Sequence, residues 1–191
     1  REDIREDLLR RHTTVLPEEL LKANIWSAGQ ILQAMESVVN RRVAEGLNQP
    51  YQRLAELRLP IYLTANRCDP LARALIQAGA DPQVRLCPWN NEIPPHKCLY
   101  TDDPTPEKPL VYHLFGHLSE PASLVLTEDD YFDYLIGVTS NKDLIPPAVR
   151  AALASTALLF LGFGIDDWSF RVFFRTLMAQ EGGRQRVYRS L

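Results

Sequence analysis

The chain has 191 residues, 46% of them hydrophobic and 24% charged, which fits one ordinary globular domain with a real core and is wrong for a disordered chain. Its net charge of −3, from 21 basic against 24 acidic residues, supplies no basic surface for nucleic acid or an anionic membrane. No apolar run approaches the roughly 20 residues that cross a bilayer, and the longest, Ala157–Gly164, suits a buried strand.

The first residues, Arg1–Arg11, are charged, carry helical periodicity from the start and include no initiator Met. They read as the cut end of a longer protein and not as a secretory signal. Ile4–Leu9 and Pro17–Leu21 are short helical patterns, with Pro17 suited to a first helical position. Ser27–Ala44 is a longer helix, since Ile31, Leu32, Met35, Val38, Val39 and Val43 recur at three- and four-residue spacing. Pro50–Leu57 is another helix. Residues 1–57 therefore read as a helical segment, lid or insert, of the domain that follows.

From residue 58 the pattern changes to alternating strands and helices. Pro60–Thr64 is a β-type run ending at Ala65–Asn66, and Leu71–Ala78 is a helix with Asp69 as N-cap, Pro70 at the first position and Gly79 as the stop. Val84–Cys87 is a short strand. Asn90–Pro109 is a Pro- and Asp-rich loop. Leu110–Leu114 is the next strand, and Leu124–Leu126 is briefly extended. Thr127–Asp130 caps the helix Tyr131–Val138. Pro146–Ala154 is a helix, Ala157–Leu161 an apolar strand suited to the centre of a parallel sheet, Trp168–Met178 an amphipathic helix, and Gln185–Tyr188 the start of one more strand. The fold class is α/β: a Rossmann-like parallel sheet with flanking helices and an N-terminal helical segment, the 58–191 core being truncated at both ends.

Ligands of open parallel sheets sit at the C-terminal ends of the strands. Three such ends are Thr64–Asn66, His113–His117 and Gly162–Asp167, and one sheet would bring their loops to one crevice. The Asn66 amide can meet a ligand hydroxyl or a water, or cap a turn. Asp69 is most simply a helix cap. His113 and His117 are candidate general bases, and equally ordinary structural histidines. Thr64, Gly116, Gly162 and Gly164 belong to the same loops, where glycine lets a ligand approach the backbone. Trp168, Phe170, Phe173 and Phe174 have core spacing. No metal is expected: Cys87, His96 and Cys98 are badly spaced for zinc. Cys68, Cys87 and Cys98 also form no disulfide framework, which points to the cytoplasm. Neither a GxxxxGK[ST] loop nor GxGxxG is present.

These strand ends carry a resemblance. Pro109–His117 with Ser123–Tyr131, Leu158–Trp168 with Phe170–Val172, and Tyr62–Asn66 resemble, in order, motifs of the divergent bacterial sirtuin-like family. The resemblance runs from about Leu59 to Met178. It implies a sheet that binds NAD, cleavage of the nicotinamide–ribose bond, and service as an NAD-depleting effector in anti-phage defence, fused to sensor or protease-like modules. Asn66 matches the family's ribose- and water-positioning Asn, with Thr64, Asp69, Gly116, Gly162 and Gly164 around the cofactor. The family's base is a His immediately before Gly, where this chain has Phe115. His113, two residues back and about 6–7 Å along the strand on the same face, or His117, just past the Gly, is the expected substitute. The family's glycine-rich first loop and the paired-cysteine zinc ribbon of lysine deacylases are absent from the chain. The expected ligand is NAD+, as substrate or bound effector, with no nucleic acid or membrane partner; homo-oligomers and fused sensor domains are the expected protein partners. An NAD hydrolase, a non-catalytic NAD or ADP-ribose sensor, and a scaffold all remain open.

Overall fold

The computed structural model describes residues 2–46, 49–100, 102–140 and 144–156, with 159, 161, 162 and 174. Helices α1 (Glu2–His12), α2 (Glu18–Lys22), α3 (Ala28–Ala44) and α4 (Gln49–Glu56) come first. They are followed by β1 (Ile61–Thr64), α5 (Pro70–Gln77), β2 (Gln83–Leu86), β3 (Leu110–His113), α6 (Glu128–Ser140) and α7 (Pro147–Ser155). Two helix starts are fixed by reciprocal caps. Ser27 Oγ accepts from the Gln30 N–H while Gln30 Oε1 accepts from the Ser27 N–H, and Thr127 with Asp130 does the same ahead of α6. Pro17 and Pro146 occupy the N-cap positions of α2 and α7, one residue earlier than a first helical turn.

The three described strands form one sheet in the order β1-β3-β2, and both pairings are parallel. The register sets Thr64 and Leu86 on either side of His113, so all three strands end at one level. β3 is buried along its whole length. Period two divides its residues. Leu110 and Tyr112, with Leu114 beyond them, pack into a cluster with Tyr134, Val138, Ile145 and Val149. Val111 packs on the opposite side with Tyr62, Leu71, Ala74, Leu75 and Ala55. Each such buried aliphatic side chain contributes about 1.5–3 kcal/mol. The Tyr112 hydroxyl donates to the Leu144 carbonyl at 2.6 Å, so its polar end is satisfied in the core.

A third cluster, Leu16, Leu20, Trp26, Ile31 and Ala34, belongs to the first helices, with the Trp26 indole donating to the Leu20 carbonyl at 2.8 Å. Arg73 of α5 donates to Asn40 of α3. Among the described residues no helix is long and apolar enough to cross a membrane.

Ala157, Leu158 and Phe160 of the expected strand Ala157–Leu161 lie outside the described residues, and among the described strands β3 is the central one. One expectation needs correction. Phe115 does not share the His113 face, because β3 ends at His113 and the chain turns. The Phe115 ring packs on Tyr134 and Tyr131, with centroids at 5.2 and 6.0 Å, as part of the core on the α6 side. Gly164, Asp166, Asp167 and the segments 168–173, 175–178 and 185–188 lie outside the described residues.

Candidate functional site

The loops after β1 and β3 meet at the strand ends, as the parallel register requires. The ladder continues one step beyond β3, with the Leu114 N–H donating to the Thr64 carbonyl at 2.9 Å. Thr64 Oγ1 accepts from the Asn66 N–H at 3.0 Å, which turns the chain out of β1. Asn66 then does two things. Its side-chain Nδ2 donates to the Tyr51 hydroxyl of α4 at 2.9 Å, and its backbone carbonyl lies 2.7 Å from His113 Nδ1. A carbonyl only accepts, so His113 carries its proton on Nδ1 and turns a bare Nε2 lone pair inward. That atom is buried without a hydrogen-bond partner.

His117 has the opposite arrangement. The Ser119 N–H donates to its Nδ1 at 3.0 Å, and Ser119 Oγ lies 2.7 Å from the same atom. Nδ1 is thus the acceptor, and the neutral ring carries its proton on Nε2. Nε2 sits 2.9 Å from Asp69 Oδ1, close but without hydrogen-bond alignment. His113 Nε2 is 4.0 Å from the same oxygen, and the two imidazoles meet edge to face at 4.8 Å between centroids. Asp69 stands at the N-cap position of α5 but makes no side-chain cap bond. Its carboxylate faces the histidines instead.

The electrostatics follow from these contacts. The contact with His117 holds the Asp69 carboxyl below its ordinary range against the opposing effect of burial, with the charges of His117, His113 and Arg73 adding to it. Burial, followed by the neighbouring His117, pushes His113 down to about 4, against the opposing pull of the Asn66 carbonyl and Asp69. His113 is therefore neutral at pH 7. Burial, then Asp69 and Glu36, pushes the Cys68 thiol up to about 11, which keeps it a thiol and a poor nucleophile.

Beside the cluster opens a cleft of about 320 Å³. Asp69, His117 and Ser119 line it together with Glu36 and Asn40 of α3. Gly116 and Ser123 hold the β3 loop in place. Gly116 has φ +81°, and a Cβ there would lie 2.1 Å from the Ser123 carbonyl oxygen. Ser123 Oγ accepts from the His117 N–H at 2.9 Å, and the Leu118 N–H donates to the Arg67 carbonyl at 2.9 Å.

Asn66, Asp69, His113, His117 and Thr64 thus come together. Gly116 belongs to the same loop, where its bare Cα makes room for the chain's own backbone. Gly162 is exposed with φ +72°, and a Cβ there would meet nothing within 4 Å among the described residues, and Gly164 lies outside the described residues. Sequence reasoning missed Tyr51, Ser119 and Ser123. The one available signal was the pattern His-x-Ser after the strand, which is too common to select.

A parallel sheet with helices packed against it is the layout of a Rossmann-like α/β domain, the fold class whose ligands generally sit at the carboxyl ends of the strands. Residues 61–191 match the SIR2-like domain, and the chain belongs to that family. The chain is similar to the NAD(+) hydrolase ThsA of Cytobacillus dafuensis, 24% identical over 139 residues, covering 71% of this chain and 26% of that protein. It is also similar to the NAD(+) hydrolase ThsA of Enterococcus faecium, 26% identical over 121 residues, covering 63% of this chain and 23% of that protein. The chain spans about a quarter of the length of the curated relatives it matches.

Proposed function

We propose that this chain is the NAD-binding and NAD-hydrolysing part of a larger cytoplasmic protein, an effector of the kind used in bacterial anti-phage defence, with residues 1–57 as the helical wall of its crevice. The observation that carries the reading is the chain of contacts Asp69–His117–Ser119, all three lining one cleft, in a domain of the SIR2-like family. A water in the cleft attacks C1′ of the nicotinamide-bearing ribose. As its oxygen bonds to C1′, the C1′–N bond breaks and its electron pair leaves with nicotinamide. The water's proton passes to Ser119 Oγ as the Ser119 proton passes to His117 Nδ1. Asp69 is a positioning residue that stabilises the imidazolium so formed. Asn66, its Nδ2 tied to Tyr51, offers Oδ1 to a ribose hydroxyl or to the water. NAD is the substrate in this scheme; a protein substrate is not needed.

The test is nicotinamide release from NAD by the intact protein that carries this chain. His117→Ala and Asn66→Ala are each expected to lower kcat by about 10²-fold or more, while NAD still raises the thermal midpoint. Midpoint protection without release in the unmodified protein would overturn hydrolysis and leave NAD or ADP-ribose sensing.

A further inference from the structure

The hydrolytic reading uses His117 and its contact with Asp69 and leaves one feature of the cluster unexplained. The two imidazole Nε2 atoms lie on one carboxylate oxygen, that of His117 at 2.9 Å and that of His113 at 4.0 Å, and His113 Nε2 is buried without a hydrogen-bond partner. His113 is 1% exposed, and an unsatisfied buried acceptor of this kind costs about 1–3 kcal/mol. Hydrogen bonding has already fixed which nitrogen of His113 is bare. Its Nδ1–H is spent on the Asn66 carbonyl, the outer-shell arrangement that orients a metal-ligating histidine and raises its basicity. Among the described residues one group of His, Cys, Asp or Glu side chains converges in this way, with ligand atoms from Asp69, His113 and His117 all within 4.8 Å of one another.

We propose that Asp69, His113 and His117 bind one divalent transition-metal ion of the zinc class. Two imidazoles and one carboxylate are a donor set that zinc accepts in open, three-ligand sites, with the fourth position facing the cleft. The ion takes the His113 lone pair as it stands. To offer Nε2, His117 moves its proton to Nδ1, where Ser119 Oγ at 2.7 Å accepts it and the Ser119 N–H gives up its 3.0 Å bond to that nitrogen. The ring stays neutral and no proton is lost from it. In that state Nδ1 has no lone pair left for the Ser119 proton, and Asp69 is withdrawn from His117. Resting on the hydrolytic reading above, the metal-loaded site is therefore switched off, and the ion is a reversible inhibitor and not a cofactor.

The test uses Co2+ as the probe, added to the full chain without NAD. One equivalent is expected to saturate a visible d–d band, and Zn2+ is expected to abolish it. His113→Gln and Asp69→Asn should each weaken Co2+ binding at least 100-fold, and Ser119→Ala about 10–100-fold, as for outer-shell partners. His96→Ala and Cys68→Ser should change nothing. Should a variant fail to fold, the unmodified Co2+ complex decides by NMR: two paramagnetically shifted, exchangeable imidazole N–H signals are expected, one for each Nδ1–H. No band, a band lost only with His96 or Cys68, or fewer than two such signals would overturn the proposal. Zn2+ is further expected to suppress nicotinamide release at the stoichiometry of the Co2+ titration. A metal-free protein that releases none overturns the hydrolytic reading alone and leaves the binding result standing.

Discussion

Gly116→Ala separates backbone strain from steric conflict at the centre of the site. At φ +81° an alanine pays about 1–2 kcal/mol for the left-handed region. Its Cβ would also sit 2.1 Å from the Ser123 carbonyl oxygen and 2.7 Å from the Leu124 nitrogen, far inside contact distance. Those atoms are backbone, so no side-chain rotation relieves the clash, and overpacking adds about 1–3 kcal/mol. Moving Ser123 also loosens its bond to the His117 N–H, at about 1 kcal/mol. The expected loss is about 3–6 kcal/mol. Gly79→Ala is the control, because φ there is +86° but nothing lies within 4 Å of a Cβ, so it should cost only about 1–2 kcal/mol. Urea unfolding of both variants, compared at equal m-value, gives the difference directly. Equal losses in the two proteins would refute the claim that the Ser123 backbone dictates glycine at 116.

Acidification should destabilise the fold through His113. Its folded value of about 4 lies below the ordinary 6.5, so the unfolded chain binds the proton first and stability falls as pH drops from 6.5 towards 4, by up to about 3 kcal/mol. Asp69, held low, adds a loss of the same sign below its ordinary 3.8, and thermal midpoints across this range check both. His113→Gln should flatten the slope between pH 6.5 and 4. Tyr112→Phe leaves the Leu144 carbonyl without its 2.6 Å donor and should cost about 1–3 kcal/mol in urea unfolding. Tyr51→Phe removes the group that accepts from Asn66 Nδ2; it is expected to lower the kcat of nicotinamide release by about tenfold and to change stability by less than about 1 kcal/mol.

Much of the fold could be read from period and punctuation. The apolar spacing of α3 and the Asp69–Pro70 start and Gly79 stop of α5 each named an element to within a residue or two. They did so because caps and periodicity are local physics. The site was legible only in part. That Asn66, Asp69, His113 and His117 come together followed from placing ligands at strand ends, but their pairing did not. Asp69 looked like a cap because its position is one; only the nearness of His117 diverts its carboxylate. Phe115 looked like a missing base because the family has His before its Gly, and His113 was set on the same face only by carrying strand period one step too far, past the point where β3 stops and the chain turns towards Gly116. Tyr51 had no local signal at all, since its partner Asn66 lies across the helical segment and β1.

The parallel pairing of Thr64 with His113 also limits how this domain can vary. Side chains of a strand alternate between two faces, so one residue inserted within β3 would set Tyr112 in the place of His113 beside Asp69 and His117 and bury an imidazole against α6. The surface loop between β2 and β3 carries no such penalty, because its length leaves the phase of β3 untouched. Insertions and deletions among relatives should therefore collect in that loop and be absent from Leu110–His113.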